Sequence, residues 1–148
     1  MENILTIYTD GGARGNPGPA AIGVVIEKNG KRIHQFGKTI GDTTNNVAEY
    51  TAVIEALQFL NKTGDKKQGT KIHFFLDSLL VVNQLNGNYK IKNSKLRELS
   101  FKVRMLEQNL SASKQTTEKG LGTTITYSYI PREKNKLADL QVNQALDG

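Results

Sequence analysis

Residues 4–40, ILTIYTDGGARGNPGPAAIGVVIEKNGKRIHQFGKTI, decide the fold because they hold three strand-like runs in succession. These runs, rich in β-forming residues, are Ile4–Thr9, Ala20–Glu27 and Lys31–Ile40. The segment Gly11–Gly18 contains four glycines and a proline, which predicts a loop or turn. Asn29-Gly30 predicts a tight hairpin, because a type I′ turn needs positive φ at both central residues. We therefore expect the first three strands to form an antiparallel meander.

The remainder of the chain alternates between helical and strand patterns. Apolar periodicity predicts helices over Asn45–Leu60, Asp77–Leu85, Ser94–Leu110 and Lys134–Leu146. Thr43, Thr44 or Asn45 can cap the first of these helices, and Ser94 is the expected cap of the third. Strands are predicted over Ile72–Leu76 and Thr123–Ile130, and polar loops over Gly64–Gly69 and Ser111–Gly122. This order indicates an α/β fold: a five-stranded mixed sheet with helices on both faces, in a single domain over residues 1–148.

Composition narrows the class of protein. The chain has 148 residues and no cysteine, which excludes disulfides and thiolate zinc sites. The N-terminus lacks the pattern of a signal peptide, and no apolar run is long enough to span a bilayer, so we expect a cytoplasmic protein without a membrane partner. A net charge of +6 favours a polyanionic partner, although ordinary solvated lysines explain it about equally well.

Four acids stand where the patterns predict the end of a strand or one side of a helix: Asp10, Glu49, Asp77 and Asp139. Each has an ordinary alternative when it is taken alone. Asp10 suits a turn, Asp77 suits a helix cap, and Glu49 and Asp139 suit the solvated edge of a helix. Glu55, on the same predicted helix as Glu49, is expected to lie at the surface.

As a set, the four acids indicate chemistry on phosphates. Two divalent cations about 3.5–4 Å apart can activate a water and stabilise the leaving oxygen of a phosphodiester, and they need several hard oxygen ligands. Crowded carboxylates without a cation would repel one another and raise each other's pKa. The cluster therefore predicts bound Mg²⁺, and a basic protein with a focused acidic site suggests nucleic acid as the substrate.

The segments around these acids resemble the type 1 ribonuclease H family over nearly the whole chain. The resemblance rests on DGGARGNPGP (10–19), NNVAEY (45–50), DSLLVVNQLNG (77–87) and PREKNKLAD (131–139), and it is strongest to the compact branch of the family. It implies a ribonuclease H-like fold. It also implies endonucleolytic cleavage of the RNA strand of RNA–DNA hybrids, leaving 5′-phosphate and 3′-hydroxyl ends.

The resemblance also implies a role for each acid. Asp10 would bridge two Mg²⁺ ions, for which Mn²⁺ could substitute. Glu49 and Asp77 would complete the ion on the leaving-group side, and Asp139 the ion that holds the attacking water. Contacts to the hybrid would come from a further set of residues, with Thr44 on a DNA-strand phosphate: Gly12, Ala13, Arg14, Gly15, Asn16, Thr44, Asn45 and Asn46. Backbone groups and side-chain amides of this kind can read a 2′-hydroxyl, although helix capping remains an alternative for Asn45 and Asn46.

Three departures from the family pattern concern the periphery of the site. Leu79 stands where relatives often have Gln, so one minor-groove contact is expected to be missing. The basic handle of some bacterial relatives is absent, and Asn86–Lys95 supplies Tyr89, Lys90 and Lys92 in its place. Glu133 is the expected substitute for a mobile His that aids product release. The histidines present, His34 and His73, fall in predicted strands and are expected to be structural or surface residues.

Two other functions stay open at this level. One is another nuclease or strand-transfer enzyme on the same fold, and the other is a nucleic-acid-binding module without activity. Asn16, Asn45 and Asn46 favour a reader of 2′-hydroxyls over the first, and the complete acid set disfavours the second. We expect a monomeric ribonuclease H that acts on RNA–DNA hybrids.

Overall fold

The computed structural model describes residues 3–63, 70–112 and 123–148, with the side chains of residues 111 and 112 excepted. Five strands form one sheet: β1 (Asn3–Ala13), β2 (Gly18–Lys28), β3 (Lys31–Thr43), β4 (Thr70–Leu76) and β5 (Thr124–Tyr129). Their order across the sheet is β3-β2-β1-β4-β5. β1, β2 and β3 pair antiparallel, whereas β4 is parallel to β1 and β5 is parallel to β4. The predicted five-stranded mixed sheet is confirmed.

Within the described residues, four α-helices accompany the sheet: α1 (Asn45–Thr63), α2 (Leu79–Leu85), α3 (Ser94–Ala112) and α4 (Lys136–Asp147). One turn of 3-10 helix, Arg132–Lys134, precedes α4. α1 packs on the sheet at β1 and also contacts α3, whereas α4 packs on β2 and β3. Large side chains such as Leu5, Tyr50 and Phe74 fill the core and are almost fully buried.

The opposite placement of α1 and α4 follows from strand alternation. Successive residues of a strand face opposite sides of the sheet, and Gly11 pairs with Ile22 while Asp10 pairs with Gly23. A Cβ on Gly11 would lie 2.2 Å from the main-chain carbon of Ala48 in α1, and one on Gly23 would lie 2.2 Å from the carbonyl oxygen of Ala138 in α4. Two glycines therefore let one helix approach each face closely, and the predicted helices on both faces are confirmed.

The hairpin and the first helix cap agree with prediction. Asn29 and Gly30 have φ of 50° and 85°, the positive values that a type I′ turn needs. Among the three candidates for the α1 cap, Thr44 accepts a hydrogen bond at its Oγ1 from the Val47 N–H, 3.3 Å away.

The predicted loop over Gly11–Gly18 is right for residues 14–17 and wrong at both ends. β1 continues through Gly11 and Gly12 to Ala13, which pairs with Ala20, so the turn itself is confined to residues 14–17. Glycines favour turns in general, but here Gly11 serves close packing against α1 within a strand.

Helix starts differ from prediction because neighbouring residues supply the caps. α2 begins at Leu79, since Ser78 accepts a hydrogen bond at Oγ from the Val81 N–H. α3 is capped by Asn93, whose Oδ1 accepts from the Leu96 N–H at 3.0 Å, and Ser94 is its first helical residue.

The remaining differences lie near the C-terminal third. The last helix begins at Lys136, because Arg132–Lys134 form the 3-10 turn. α3 extends through residues 111 and 112, which were expected to open a loop. The other predicted loop residues, 64–69 and 113–122, lie outside the described residues.

The sheet contains one topological switch point. From β1 the chain continues to β2 on one side of the sheet. From β4, the neighbour of β1, it continues through α2 and α3 to β5 on the other side. Pairing between β1 and β4 ends at Tyr8 and Phe75, so these two strands are no longer hydrogen-bonded to each other beyond these residues. Ligands of open α/β sheets bind in the crevice outside the carboxyl ends of such strands. Asp10 and Asp77 each stand two residues beyond the last pair.

Candidate active site

Three acids from three elements meet at this crevice. Asp10 lies in β1, Glu49 in α1 and Asp77 directly after β4, and each offers a carboxylate oxygen within 4.8 Å of the others. Asp10 is 7% exposed and Glu49 6%. Such burial is unusual for acids that have no cationic partner, and it indicates a site for a cationic ligand.

Glu49 reaches the cluster through a contact between its helix and β1. The Gly11 N–H donates to Glu49 Oε1 at 3.3 Å. The second carboxylate oxygen, Oε2, is buried and has no hydrogen-bond partner. An unpaired buried carboxylate oxygen beside two other acids is the donor arrangement that a hard divalent cation requires.

Asp139 approaches the cluster from α4, on the other face of the sheet. It is not one of the three acids that gather most tightly, but it lines the same cleft of about 600 Å³. It also hydrogen-bonds Asp10 and acts on it electrostatically. The structure therefore brings all four predicted acids to one cleft, with Asp10 in the middle.

The crowding changes the titration of two acids. Burial and then the charge of Asp77 raise the pKa of Asp10 from 3.8 to about 7, against the opposing effect of its hydrogen bond with Glu49. The charge of Asp139, and the hydrogen bond that protonated Asp10 donates to Asp139, raise it further by smaller amounts. The pKa of Glu49 lies well above its ordinary value, chiefly because of burial and then because of Asp10 and Asp77. A bound cation would offset both effects, because it favours the charged carboxylates.

Asn135 also belongs to this site, although it was not among the predicted site residues. It is 1% exposed, and its Nδ2 donates to Asp77 Oδ2 at 2.9 Å and to the Thr9 carbonyl oxygen at 2.9 Å. The signal was present in the motif PREKNKLAD, where Asn135 stands four residues before Asp139. Three polar residues that line the cleft were also missed: Ser78, Arg132 and Asn143.

The predicted substrate contacts divide between two neighbouring sites. Gly12, Ala13, Arg14, Asn45 and Asn46 line the acid cleft. A separate groove of about 420 Å³ is lined by polar and basic residues that include Asn16, Thr44, Asn46, Asn93 and Lys95. Gly15 lies in the exposed turn between β1 and β2, with φ of 93°.

Hydrogen bonds join the two sites. Asn45 Oδ1 accepts from the Ala13 N–H at 2.8 Å, and the Asn45 N–H donates to Asn16 Oδ1 at 3.0 Å. Arg14 holds the same turn against α4, through Asp147 at 2.7 Å and Asn143 at 3.3 Å. The turn after β1 is thus held by hydrogen bonds and an ion pair to the start of α1 and to the end of α4.

Glu133 is not brought to the acid cleft. It is exposed in the 3-10 turn and lines a different hollow together with Tyr8 and Glu27, whereas its neighbour Arg132 lines the acid cleft. Leu79 is 54% exposed at the first turn of α2.

The remaining peripheral predictions concern the handle and the histidines. All of residues 86–93 between α2 and α3 are described, and they contain no helix. His34 stacks on Phe59 with ring centroids 4.3 Å apart, and His73 Nδ1 lies 2.7 Å from Thr126 Oγ1. Both histidines lie in strands, as expected, and neither lines the acid cleft.

The fold and the site together define a class of protein: a mixed α/β sheet that gathers carboxylates at its switch point, as phosphate chemistry with divalent cations requires. A family model described as RNase H matches residues 2–147. The chain therefore belongs to the RNase H family, as the resemblance of its motifs predicted.

Solved structures of relatives agree with this assignment. LC11-RNase H1, in its crystal structure with an RNA/DNA hybrid, is 43% identical and superposes with a TM-score of 0.85 over 97% of this chain and 96% of that one. RNase H1 from the halophilic archaeon Halobacterium salinarum NRC-1 is 34% identical, with a TM-score of 0.83 over 97% and 98% of the two chains.

A curated relative places the same domain in a longer protein. The bifunctional protein Rv2228c of Mycobacterium tuberculosis is 34% identical over 145 residues, which make up 97% of this chain and 35% of that protein. This chain thus spans about a third of that relative's length.

Proposed function

We propose that this protein is an endoribonuclease that hydrolyses the RNA strand of RNA–DNA hybrids. One observation carries the proposal: the acid cluster shares its cleft with Ala13 and Asn45, which are hydrogen-bonded to each other and, through Asn45, to Asn16 in the adjacent groove, so a phosphate-cleaving site would adjoin groups able to read a ribose. LC11-RNase H1, with 43% identity over 97% of this chain, crystallised with an RNA/DNA hybrid, which supports the same substrate here.

The acids fit a divalent cation. Asp10, Glu49 and Asp77 supply hard oxygen donors within 4.8 Å of one another, and Glu49 Oε2 is buried without a partner. We propose Mg²⁺ as the natural cofactor, with Mn²⁺ as a substitute, and two ions at the site. Asp10 would contact both ions, Glu49 and Asp77 the one on the leaving-group side, and Asp139 the other. When bound, such ions polarise a water and neutralise charge on the leaving oxygen.

The protein's own groups would orient the scissile phosphate. Attack of water on phosphorus breaks the bond to the 3′ oxygen, which takes up a proton, so the phosphate stays on the 5′ end of the product. Asp10 interacts with each of the other three acids, so it would be the carboxylate shared by the groups that face the attacking water and the leaving oxygen. Arg132 adds a positive charge at the rim of the cleft, where it can contact a neighbouring phosphate.

Selection of RNA would come from the turn after β1. Asn45 Oδ1 is engaged by the Ala13 N–H, so its amide NH₂ is the group left to meet a 2′-hydroxyl, with Asn46 beside it in the cleft. A 2′-hydroxyl both donates and accepts, which suits amides and exposed main-chain groups. The adjacent groove with Thr44 and Lys95 suits a phosphate of the DNA strand.

We further propose that the protein acts as a cytoplasmic monomer. Among the helices of the described residues, none has the length and apolar character needed to traverse a bilayer.

A cleavage assay tests the function. Labelled RNA–DNA hybrid, duplex RNA and duplex DNA of one sequence are incubated with the protein, with MgCl₂ or with EDTA. We expect cleavage of the RNA strand of the hybrid alone, dependent on MgCl₂, with products that carry 5′-phosphates. Cleavage of duplex DNA would indicate the nuclease or strand-transfer alternative, and metal-dependent binding without cleavage would indicate a binding module.

A further inference from the structure

Asn135 connects the elements that carry the acids. Its buried amide donates to the Thr9 carbonyl oxygen, one residue before Asp10, and to Asp77 Oδ2, both at 2.9 Å. Its main-chain carbonyl accepts from the Asp139 N–H at 3.1 Å, which begins the hydrogen bonding of α4. One residue thus contacts β1, the chain after β4 and the first turn of α4.

The location of this contact explains why it is needed. Ladder pairing between β1 and β4 ends at Tyr8 and Phe75, so Asp10 and Asp77 lie where the sheet no longer holds the strands together. The Asn135 side chain bridges Thr9 and Asp77 just beyond that end.

The orientation of the amide is determined by its partners. Both atoms that face Nδ2 are oxygens that can only accept when Asp77 is ionised, so the flipped amide would set Oδ1 against two oxygens. In the observed orientation Oδ1 is buried without a partner. The molecule therefore leaves one buried acceptor unsatisfied in order to present the donor to Asp77.

We infer that Asn135 is a positioning residue that assembles the carboxylate site for divalent cations, by tying Asp77 to the main chain beside Asp10. A neutral amide suits this task, since it orients the carboxylate without bringing a positive charge that would compete with a cation. The inference rests on the proposed function in taking a divalent cation as the ligand of the acids, but it does not depend on the identity of the substrate.

Calorimetric titration with MgCl₂ and with MnCl₂ tests the inference on Asn135→Ala and Asn135→Ser. Serine keeps a polar residue at the start of α4 but lacks the reach of the amide. We expect both variants to bind the cations at least about tenfold more weakly, the loss typical for groups that orient metal ligands. In the cleavage assay, the half-saturating MgCl₂ concentration should rise likewise, KM for the hybrid should stay unchanged, and excess MgCl₂ should restore turnover.

Asn86→Ala is the matched control. Asn86 Nδ2 also donates to a main-chain carbonyl oxygen, that of Tyr127 at 3.0 Å, but Asn86 lines a different hollow from the acid cleft, so the affinity of the variant for both cations should equal that of the wild type. Wild-type affinity in a folded Asn135 variant would overturn the inference. A further measurement needs no variant: the Asn135 side-chain amide resonances of ¹⁵N-labelled protein should shift on addition of MgCl₂, and a lack of shift would also overturn it. Cation binding without cleavage by the wild type would refute the proposed function alone.

Discussion

The Gly11 N–H donates to Glu49 Oε1 at 3.3 Å, which joins the strand that carries Asp10 to the helix that carries Glu49. The contact is possible because Gly11 has no side chain. A Cβ at this position would lie 2.2 Å from the Ala48 main-chain carbon and 2.5 Å from the Glu49 nitrogen. The distance between two acids of the candidate site is thus set by a glycine that faces the opposite side of the sheet from Asp10.

Gly11→Ala should therefore lower both stability and activity. The methyl group meets backbone, which cannot move aside without shifting α1, so we expect a loss of about 3 kcal/mol in the free energy of unfolding, at the upper end for overpacking. Urea unfolding with EDTA measures it. Gly12→Ala is the control for stability, since its nearest atom would be Val142 Cγ1 at 3.8 Å, an ordinary contact. Equal losses in the two variants would refute the explanation.

Asp10→Asn should abolish cleavage in MgCl₂ and leave hybrid binding largely intact. The substitution replaces a carboxylate central to the site by a neutral amide of the same shape. The loss of cleavage rate should exceed ~100-fold, the upper range for groups that only orient metal ligands. Single-turnover cleavage and filter binding measure the two effects. Glu55→Gln should retain normal activity, because Glu55 of α1 is half-buried in an ion pair with Lys38 at 3.2 Å and does not line the acid cleft. Near-normal turnover of Asp10→Asn would refute the role of Asp10.

The metal-free protein should lose stability as the pH rises from about 4 through 7. The folded-state pKa of Asp10 is raised from 3.8 to about 7, so the folded state holds this proton more tightly than the unfolded state. The contribution of protonated Asp10 to the free energy of unfolding is complete below the pKa of the unfolded state. It is lost as the pH rises through the pKa of the folded state, at about 1.4 kcal/mol per unit of difference between the two pKa values.

Thermal unfolding in EDTA over this pH range checks the effect. Asp10→Asn, which cannot ionise, should unfold roughly 5 °C or more above the wild type at pH 8, with a gap that closes toward pH 4. Addition of MgCl₂ should stabilise the wild type most at high pH, where the carboxylates bind a cation without displacing protons. A gap that does not vary with pH would contradict the raised pKa.

Asn45→Ala should weaken recognition of the hybrid. It removes the acceptor for the Ala13 N–H and the amide that faces the cleft, so we expect KM to rise about tenfold, as for loss of a good hydrogen bond, with a smaller change in kcat. Steady-state kinetics on the hybrid provide the measurement. Asn61→Ala removes an amide at the other end of α1, where Asn61 bonds the Leu57 carbonyl oxygen, and should behave like the wild type. Unchanged KM in Asn45→Ala would argue against the assigned contact.

Glu133→Ala should slow multiple turnover more than single turnover if Glu133 assists product release. Glu133 lies outside the acid cleft, in the exposed turn that leads to Asn135 and Asp139, so it can influence departure of product without contact with the acids. Lys134→Ala, in the same turn, controls for disturbance of the turn itself. Equal loss in both regimes would point to an effect on the chemical step instead.

Local patterns predicted most elements because each depends on neighbouring residues. The Asn29-Gly30 hairpin and the helix over Asn45–Leu60 follow from turn chemistry and from apolar periodicity. Prediction failed where a local preference was overruled by packing, as at Gly11, or where adjacent polar residues competed for one cap, as at Asn93 and Ser94. The four acids were identifiable from their motifs, whereas Asn135 was quoted in a motif and not recognised as part of the site.

The sequence by itself determined which residue types are available and in which elements they lie. It places β2, β3 and α1 between β1 and β4 along the chain, an acid at or just after the end of each of these two strands, and Glu49 on the intervening helix. Only the tertiary structure decided how these groups meet. Burial raises the pKa of Asp10 to about 7, Gly11 lets α1 approach, and Asn135 bridges the strands beyond their last pair. Such contacts join residues up to 126 positions apart. Their distances depend on packing in three dimensions, which no local pattern encodes.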